Sequence, residues 1–232
     1  MRQFPLMLFA AGFGTRMGSL TRDRPKPLIK VAGRSLLDHA MTLAQAPCIS
    51  RRVVNLHYRG DQIAAHLARQ NVALSWELET ILETGGGLRA ALPQLGPGPV
   101  MTLNTDAVWT GTNPLTELAK AWDAGWMSAL LLLVPKARAY GHDGAGDFIL
   151  ADDGRIVRAL GRPGHIYVGA QILDPAGLHA VAEPAFSLNL IWDRMIAEGR
   201  AYGLVHDGAW CDVGRPEGIA LAEAMLAQSG DV

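Results

Sequence analysis

Gly12-Phe13-Gly14-Thr15-Arg16-Met17-Gly18 packs three glycines and an arginine into seven residues. Glycine lets a backbone approach a ligand closely and turn its N–H groups towards an anion. A guanidinium inside such a loop adds bidentate recognition of phosphate. Pro25-Lys26-Pro27 follows, and the two prolines are expected to hold the lysine in a stiff extended segment. A glycine-rich turn alone is most often an ordinary strand-to-helix connection. Together with Arg16 and Lys26 it reads as a site for a polyanion.

Two well-known phosphate loops do not fit these residues. In G-x-G-x-x-G the third glycine would fall at Met17, and Asp38, at the right distance for a ribose acid, sits in a predicted helix rather than at a strand end. A P-loop needs Gly-Lys-Ser/Thr, which does not follow. Asp106 and Asp212 are not singled out by residue type or spacing alone. Asp106 follows the apolar strand Val100–Leu103, at the end where open α/β sheets bind ligands. Taken singly, each aspartate is more often a loop cap than a ligand.

Other chemistries lack their residues. Seven histidines form no HExxH or close pair, and Ser35, Ser128 and Ser187 lack a G-x-S-x-G setting. Cys48 and Cys211 stand far apart and outside any CxxC, which suits two reduced thiols in a cytoplasmic protein. Among the tryptophans, Trp109 is expected nearest the ligand.

The elements that must position these groups alternate. Pro5–Ala11 is continuously apolar, as in a parallel strand covered on both faces. A helix is predicted from Ser35, then a strand near Arg52–His57, a helix near Asp61–Arg69 and a strand near Ala73–Glu77. A helix opens around Gly86, Val100–Leu103 is a strand, Pro114 starts a helix through Ala124, and Ala129–Val134 is a buried strand. Short strands are predicted near Asp147–Leu150, Ile156–Ala159 and Ile166–Leu173. Helices near Leu190–Glu198 and Pro216–Ala227 close the pattern. This alternation predicts one α/β domain over 1–232, with a mostly parallel, Rossmann-like mixed central sheet flanked by helices. No hexapeptide repeats follow, so no C-terminal β-helix domain is expected.

Composition narrows the class further. With 21 Lys plus Arg against 22 Asp plus Glu, the net charge of −1 supplies no excess for nucleic-acid binding. The longest apolar runs are far short of the ~20 residues a membrane helix needs. The run from Phe4 to Ala11 reads as a buried strand, not a targeting segment. No nucleic acid, membrane or protein partner is expected.

Several ordered segments carry a family resemblance. Phe9-Ala10-Ala11-Gly12-Phe13-Gly14-Thr15-Arg16-Met17 with Pro25-Lys26-Pro27-Leu28 resembles the signature loop of the sugar-1-phosphate nucleotidyltransferases. Glu83-Thr84-Gly85-Gly86-Gly87 resembles that family's nucleobase and sugar segment. Leu103-Asn104-Thr105-Asp106 and Trp210-Cys211-Asp212-Val213-Gly214 resemble the segments bearing its two metal aspartates. The likeness runs over essentially the whole chain. Within the family, Glu83–Gly87, Phe186-Ser187-Leu188-Asn189 and the short length are most similar to the N-acetylmuramate-1-phosphate uridylyltransferases.

The resemblance implies an NDP-sugar made from a nucleoside triphosphate, with UTP the best guess, and a sugar 1-phosphate. It implies Arg16 and Lys26 as catalytic groups, and Mg²⁺ on Asp106 and Asp212. It places Ala11, Gly12, Gly14, Thr15, Glu83, Gly85, Gly86, Asn104, Gly169 and Asn189 against the substrates. Mannose-1-phosphate guanylyltransferase and a non-catalytic nucleotide-sugar-binding protein are the alternatives. The chain departs from the pattern at Ser19, where proline is usual, and at Thr105, where glycine is usual. Gly161-Arg162-Pro163 stands where many relatives have Glu-Lys-Pro, so Arg162 is either a substitute for the sugar-phosphate lysine or a surface charge.

Overall fold

The computed structural model describes residues 2–230, so the outermost residues of the expected 1–232 domain, Met1, Asp231 and Val232, lie outside the described residues. At its centre is a seven-stranded sheet. From edge to edge its strands are Ala201–Val205, Ala129–Val134, Ile166–Leu173, Val100–Asn104, Phe4–Phe9, Ile49–Leu56 and Ala73–Trp76. Ile166–Leu173 runs antiparallel to both neighbours, and every other pairing is parallel. The expected mixed, mostly parallel sheet is what forms.

Side-chain alternation explains the apolar runs. Leu6 and Leu8 enter one core, with Leu37, Ala40, Ile63, Leu67, Leu115 and Leu118 from three helices. Met7 points to the opposite core, where it joins Leu88, Ala91, Leu95, Ile191 and Met195 from two others. A central strand buried on both faces has no polar side to show, so its sequence does not alternate. Among the described residues no helix is long and apolar enough to cross a membrane.

Caps fix several helix starts. Ser35 accepts the Asp38 amide at 3.0 Å to open Leu36–Leu43. Asn113 accepts the amides of Leu115 and Thr116 ahead of Pro114–Ala121. That helix stops three residues before the expected Ala124, because Trp122 turns extended. The helix expected from Gly86 opens at Glu83 and runs to Leu95. Lys26 is not in an extended segment. Only Pro25 is extended, and Lys26–Leu28 forms one 3₁₀ turn.

A second, three-stranded sheet was not legible in the sequence. Trp210–Asp212 pairs antiparallel with Ala107–Trp109 and parallel with Ala139–Tyr140. Strands of two or three residues carry no readable period. Helix Glu217–Ser229 covers this sheet through Ala222, Met225 and Leu226, which meet Val108, Cys211 and Val213 in a third core. Cys211 is fully buried there, and burial pushes its thiol up to about 12.

Candidate active site

A cavity of about 300 Å³ opens where strands Phe4–Phe9 and Val100–Asn104 end. Nine of the residues expected from the sequence line it: Ala11, Gly12, Gly14, Thr15, Arg16, Lys26, Glu83, Asn104 and Asp106. The glycine-rich loop leaves the strand and turns at Gly14, which is left-handed at φ 65°. A Cβ on Gly14 would stand 2.8 Å from the Lys26 Cβ, so glycine is what lets the loop close onto the lysine. Arg16 stays exposed on the loop.

Lys26 is nearly buried and donates its Nζ to Asp106 Oδ2 at 2.8 Å. The small sheet delivers Asp212 to the same place. Asp212 is registered opposite Ala107, and the Val213 amide donates to the Asp106 carbonyl at 2.9 Å. Burial chiefly, and then the Asp106 charge, raise the Asp212 carboxyl above its ordinary range. Lys26, Arg16 and His142 oppose that rise. The Asp212 carboxylate accepts no hydrogen bond from any described residue. Two repelling carboxylates, one without a hydrogen-bond donor, make a hard oxygen set suited to a divalent cation.

Gly214 marks how tightly this corner is built. A Cβ there would stand 2.6 Å from Asp212 Oδ2 and 2.9 Å from Arg16 Nη2. Both obstacles are side-chain ends that can swing away, so Gly214→Ala is expected to keep the fold and displace both charged groups. We expect nucleotidyl transfer to fall at least about tenfold, since small misplacements of charged groups are costly to rate. A thermal melt within a few degrees of wild type beside a progress-curve assay checks this, and unimpaired turnover would refute it.

A buried polar chain supports the opposite wall. Asn55 Oδ1 accepts the Ala10 amide at 2.7 Å, and Asn55 Nδ2 donates to Glu77 Oε1 at 2.7 Å. Glu77 Oε2 accepts the Leu82 amide at 2.7 Å, beside the N-terminus of helix Glu83–Leu95, where partial positive charge favours a carboxylate. The chain ties the start of the glycine-rich loop to the segment bearing Glu83. Glu83 itself is left-handed at φ 57°, a strained conformation for a residue with a side chain. Sequence reasoning missed Asn55, which also lines the cavity. An asparagine inside Val53-Val54-Asn55-Leu56 was the available signal, since a polar group there must have partners.

The remaining expected residues divide. Gly85 and Gly86 do not line the cavity, and both amides are donated to the Phe186 carbonyl. A Cβ on either would stand 2.3 Å from Phe186 or from the Pro184 carbonyl, so they let helix and loop pack closely. Gly169 sits at φ 80° in a bulge of its strand, against the Asn104 side chain. Asn189 lines a second cavity of about 290 Å³, which shares Phe9, Thr84 and Asn104 with the first. Thr105 donates to the Phe9 carbonyl at 2.7 Å, which anchors its added bulk. Trp109 faces His206 at 5.4 Å and lines neither cavity, while Trp192 lines the second. Arg162 also lines neither.

Residues 6–161 match the MobA-like NTP transferase domain family. The chain is 38% identical, over 96% of its length and 97% of the relative's, to the N-acetylmuramate alpha-1-phosphate uridylyltransferase of Caulobacter vibrioides. It is 32% identical, over 94% of its length and 96% of the relative's, to the enzyme of that name from Neisseria meningitidis serogroup B. In fold it is similar to the crystal structure of a putative glucose-1-phosphate thymidylyltransferase from Bacillus anthracis. That likeness has a TM-score of 0.78 at 14% identity and covers 98% of this chain and 96% of the other.

Proposed function

The chain belongs to the MobA-like NTP transferase family and is a sugar-1-phosphate nucleotidyltransferase, and within that class we propose that it joins UTP to N-acetylmuramate α-1-phosphate with release of pyrophosphate. The names of the two full-length relatives support the choice of base and sugar. The observation that carries the reading is the pair of adjoining cavities, one gathering Arg16, Lys26 and Asp106, the other continuing past Asn104. Two substrates have room to meet there. We read residues 1–232 as one catalytic domain acting in the cytoplasm, a setting that suits two buried free thiols.

In this reading a phosphate oxygen of the sugar 1-phosphate attacks the α-phosphorus. A new P–O bond forms, the bond to the bridging oxygen breaks, and pyrophosphate leaves. The second pKa of such a phosphate is about 6, so the nucleophile is already ionised near neutrality and needs no general base. The obstacle is the meeting of two polyanions, which makes positioning and charge stabilisation the enzyme's task. Arg16 and Lys26 neutralise phosphate oxygens, and the amides of the glycine-rich loop orient them.

The family generally uses a divalent metal. Asp106 and Asp212 fit Mg²⁺, because both offer carboxylate oxygen and Asp212 has no other hydrogen-bond partner among the described residues. Bound there, the ion would supply further positive charge to the phosphate groups.

A pyrophosphate-release panel tests the reading. UTP, GTP, CTP and dTTP are each paired with N-acetylmuramate, N-acetylglucosamine and mannose 1-phosphates in the presence of Mg²⁺. The expected optimum is UTP with N-acetylmuramate α-1-phosphate. An optimum at GTP with mannose 1-phosphate would replace it with the guanylyltransferase reading, and nucleotide binding without pyrophosphate would leave only a sensor.

A further inference from the structure

Arg162, the arginine that stands in the Glu-Lys-Pro position, turns back on its own backbone. Its Nε donates to the Ala159 carbonyl at 3.1 Å and its Nη2 to the Arg158 carbonyl at 3.4 Å. The cation that lines the second cavity is Arg158, at the end of the short strand Ile156–Arg158. Its Nε donates to Asp193 Oδ1 at 2.8 Å and its Nη2 to the Asn189 carbonyl at 3.2 Å. The guanidinium carbon lies 4.9 Å from the Phe148 ring centroid and 5.6 Å from that of Trp192. Both rings also line the cavity.

Those contacts hold the guanidinium plane while using two of its five N–H donors. No described residue bonds to Nη1. A planar fork already fixed by ring contacts and two hydrogen bonds loses little entropy when it takes an anion. Across the same cavity Asp147 accepts the Tyr167 amide at 2.9 Å through Oδ2, which leaves Oδ1 as an acceptor. The cavity therefore offers one anion receptor and one strong acceptor. That pair matches a sugar bearing both an acid and a hydroxyl or amide N–H.

Resting on the uridylyltransferase reading above, we propose that Arg158 selects an acidic sugar, its guanidinium receiving the sugar's own carboxylate while Asp147 accepts a hydroxyl or amide hydrogen. N-acetylmuramate differs from N-acetylglucosamine by an ether-linked lactate, whose carboxylate is the group in question. The same guanidinium chemistry would also suit the sugar's phosphate, and the two sources are separable. A phosphate contact serves acidic and neutral sugars alike, whereas a carboxylate contact serves only the acid.

The test is steady-state kinetics at saturating UTP with the 1-phosphates of N-acetylmuramate and N-acetylglucosamine, for wild type, Arg158→Gln and Arg158→Lys. In Arg158→Gln the acid-to-neutral ratio of kcat/KM is expected to fall about tenfold to hundredfold, as for a lost charged hydrogen bond. The loss should lie mainly in KM for the acidic sugar, with partial recovery in Arg158→Lys. An equal loss with both sugars, or an unaltered ratio, would overturn the proposal. Wild-type enzyme with the carboxyl methyl ester of N-acetylmuramate 1-phosphate gives a measurement that needs no variant. The ester should lose the same tenfold or more, and an ester used as well as the acid would again overturn the proposal. Wild type inactive with every sugar phosphate would instead remove the parent reading, and this one with it.

Discussion

Asp106→Asn and Asp212→Asn each lower turnover by about 10²–10³, the range seen when one electrostatic group at a reacting centre is lost. Nucleotide binding is expected to persist in part, because in the proposed site Arg16, Lys26 and the loop amides are left to hold the phosphates. The expected stabilities separate this outcome from a merely structural role. Asp212 is half-buried, faces the Asp106 charge and accepts no hydrogen bond from a described residue. Removing its charge relieves repulsion, so in chelator Asp212→Asn should melt no lower than wild type. The pH dependence has a definite sign. A carboxyl raised on folding contributes stability that is present below the ordinary carboxylate range and lost as pH rises through its raised value. Chelated wild type should show that loss, Asp212→Asn should lack it, and adding Mg²⁺ should raise the melting temperature of wild type alone. Turnover within a few-fold of wild type at limiting Mg²⁺ would end the two-aspartate site. A variant that unfolds would make the aspartate a structural cap.

Lys26→Met gives the opposite stability result with a comparable catalytic loss. Lys26 is nearly buried, and its Nζ bonds Asp106 while its charge opposes the raised carboxyl of Asp212. Without it, two like charges face each other with only Arg16 and His142 left to oppose them. Breaking a fully buried pair costs about 3–5 kcal/mol, and the partial exposure of Asp106 reduces this to about 1–2 kcal/mol. For a domain of this size that is a fall of several degrees in melting temperature in chelator. The same variant should lose about 10²-fold in kcat and raise the KM for nucleotide, since the charge serves ground state and transition state together. Kinetics and melts on one preparation decide it. Loss of stability with normal kinetics would make Lys26 a structural counter-ion only.

Lys26 bonds Asp106 and both charges act on Asp212, so the effects of the three substitutions are expected not to add. That coupling is a property of the tertiary structure, and it marks the boundary of what the sequence could tell. The clustering of the glycine-rich loop, Arg16 and Lys26 at one cavity was legible because these parts are local. Gly14 and Arg16 lie in one loop, Lys26 follows within a dozen residues, and their chemistry needs only spacing and residue type. The central sheet was legible for a related reason, since strands such as Phe4–Phe9 and Ala129–Val134 are buried on both faces and must be apolar throughout.

What the sequence could not decide depended on long-range pairing. Asp212 reaches Asp106 only through the three-residue strand Trp210–Asp212, too short to leave a periodic trace. Asn55 and Glu77 belong to the site through hydrogen bonds to Ala10 and Leu82, partners that no local pattern names. Glycines were misleading in kind. Gly85 and Gly86 looked like ligand-facing backbone, yet their amides are taken by the Phe186 carbonyl, and their missing side chains serve packing. Arg158 and Arg162 differ least in sequence and most in place. They stand four residues apart with the same charge, yet the aromatic wall, Asp193 and the Asn189 carbonyl hold Arg158 at the cavity while Arg162 satisfies itself on its own backbone. Residue type set the chemistry each group could perform, while distance, burial and partner, which exist only after folding, set which of them are placed to perform it.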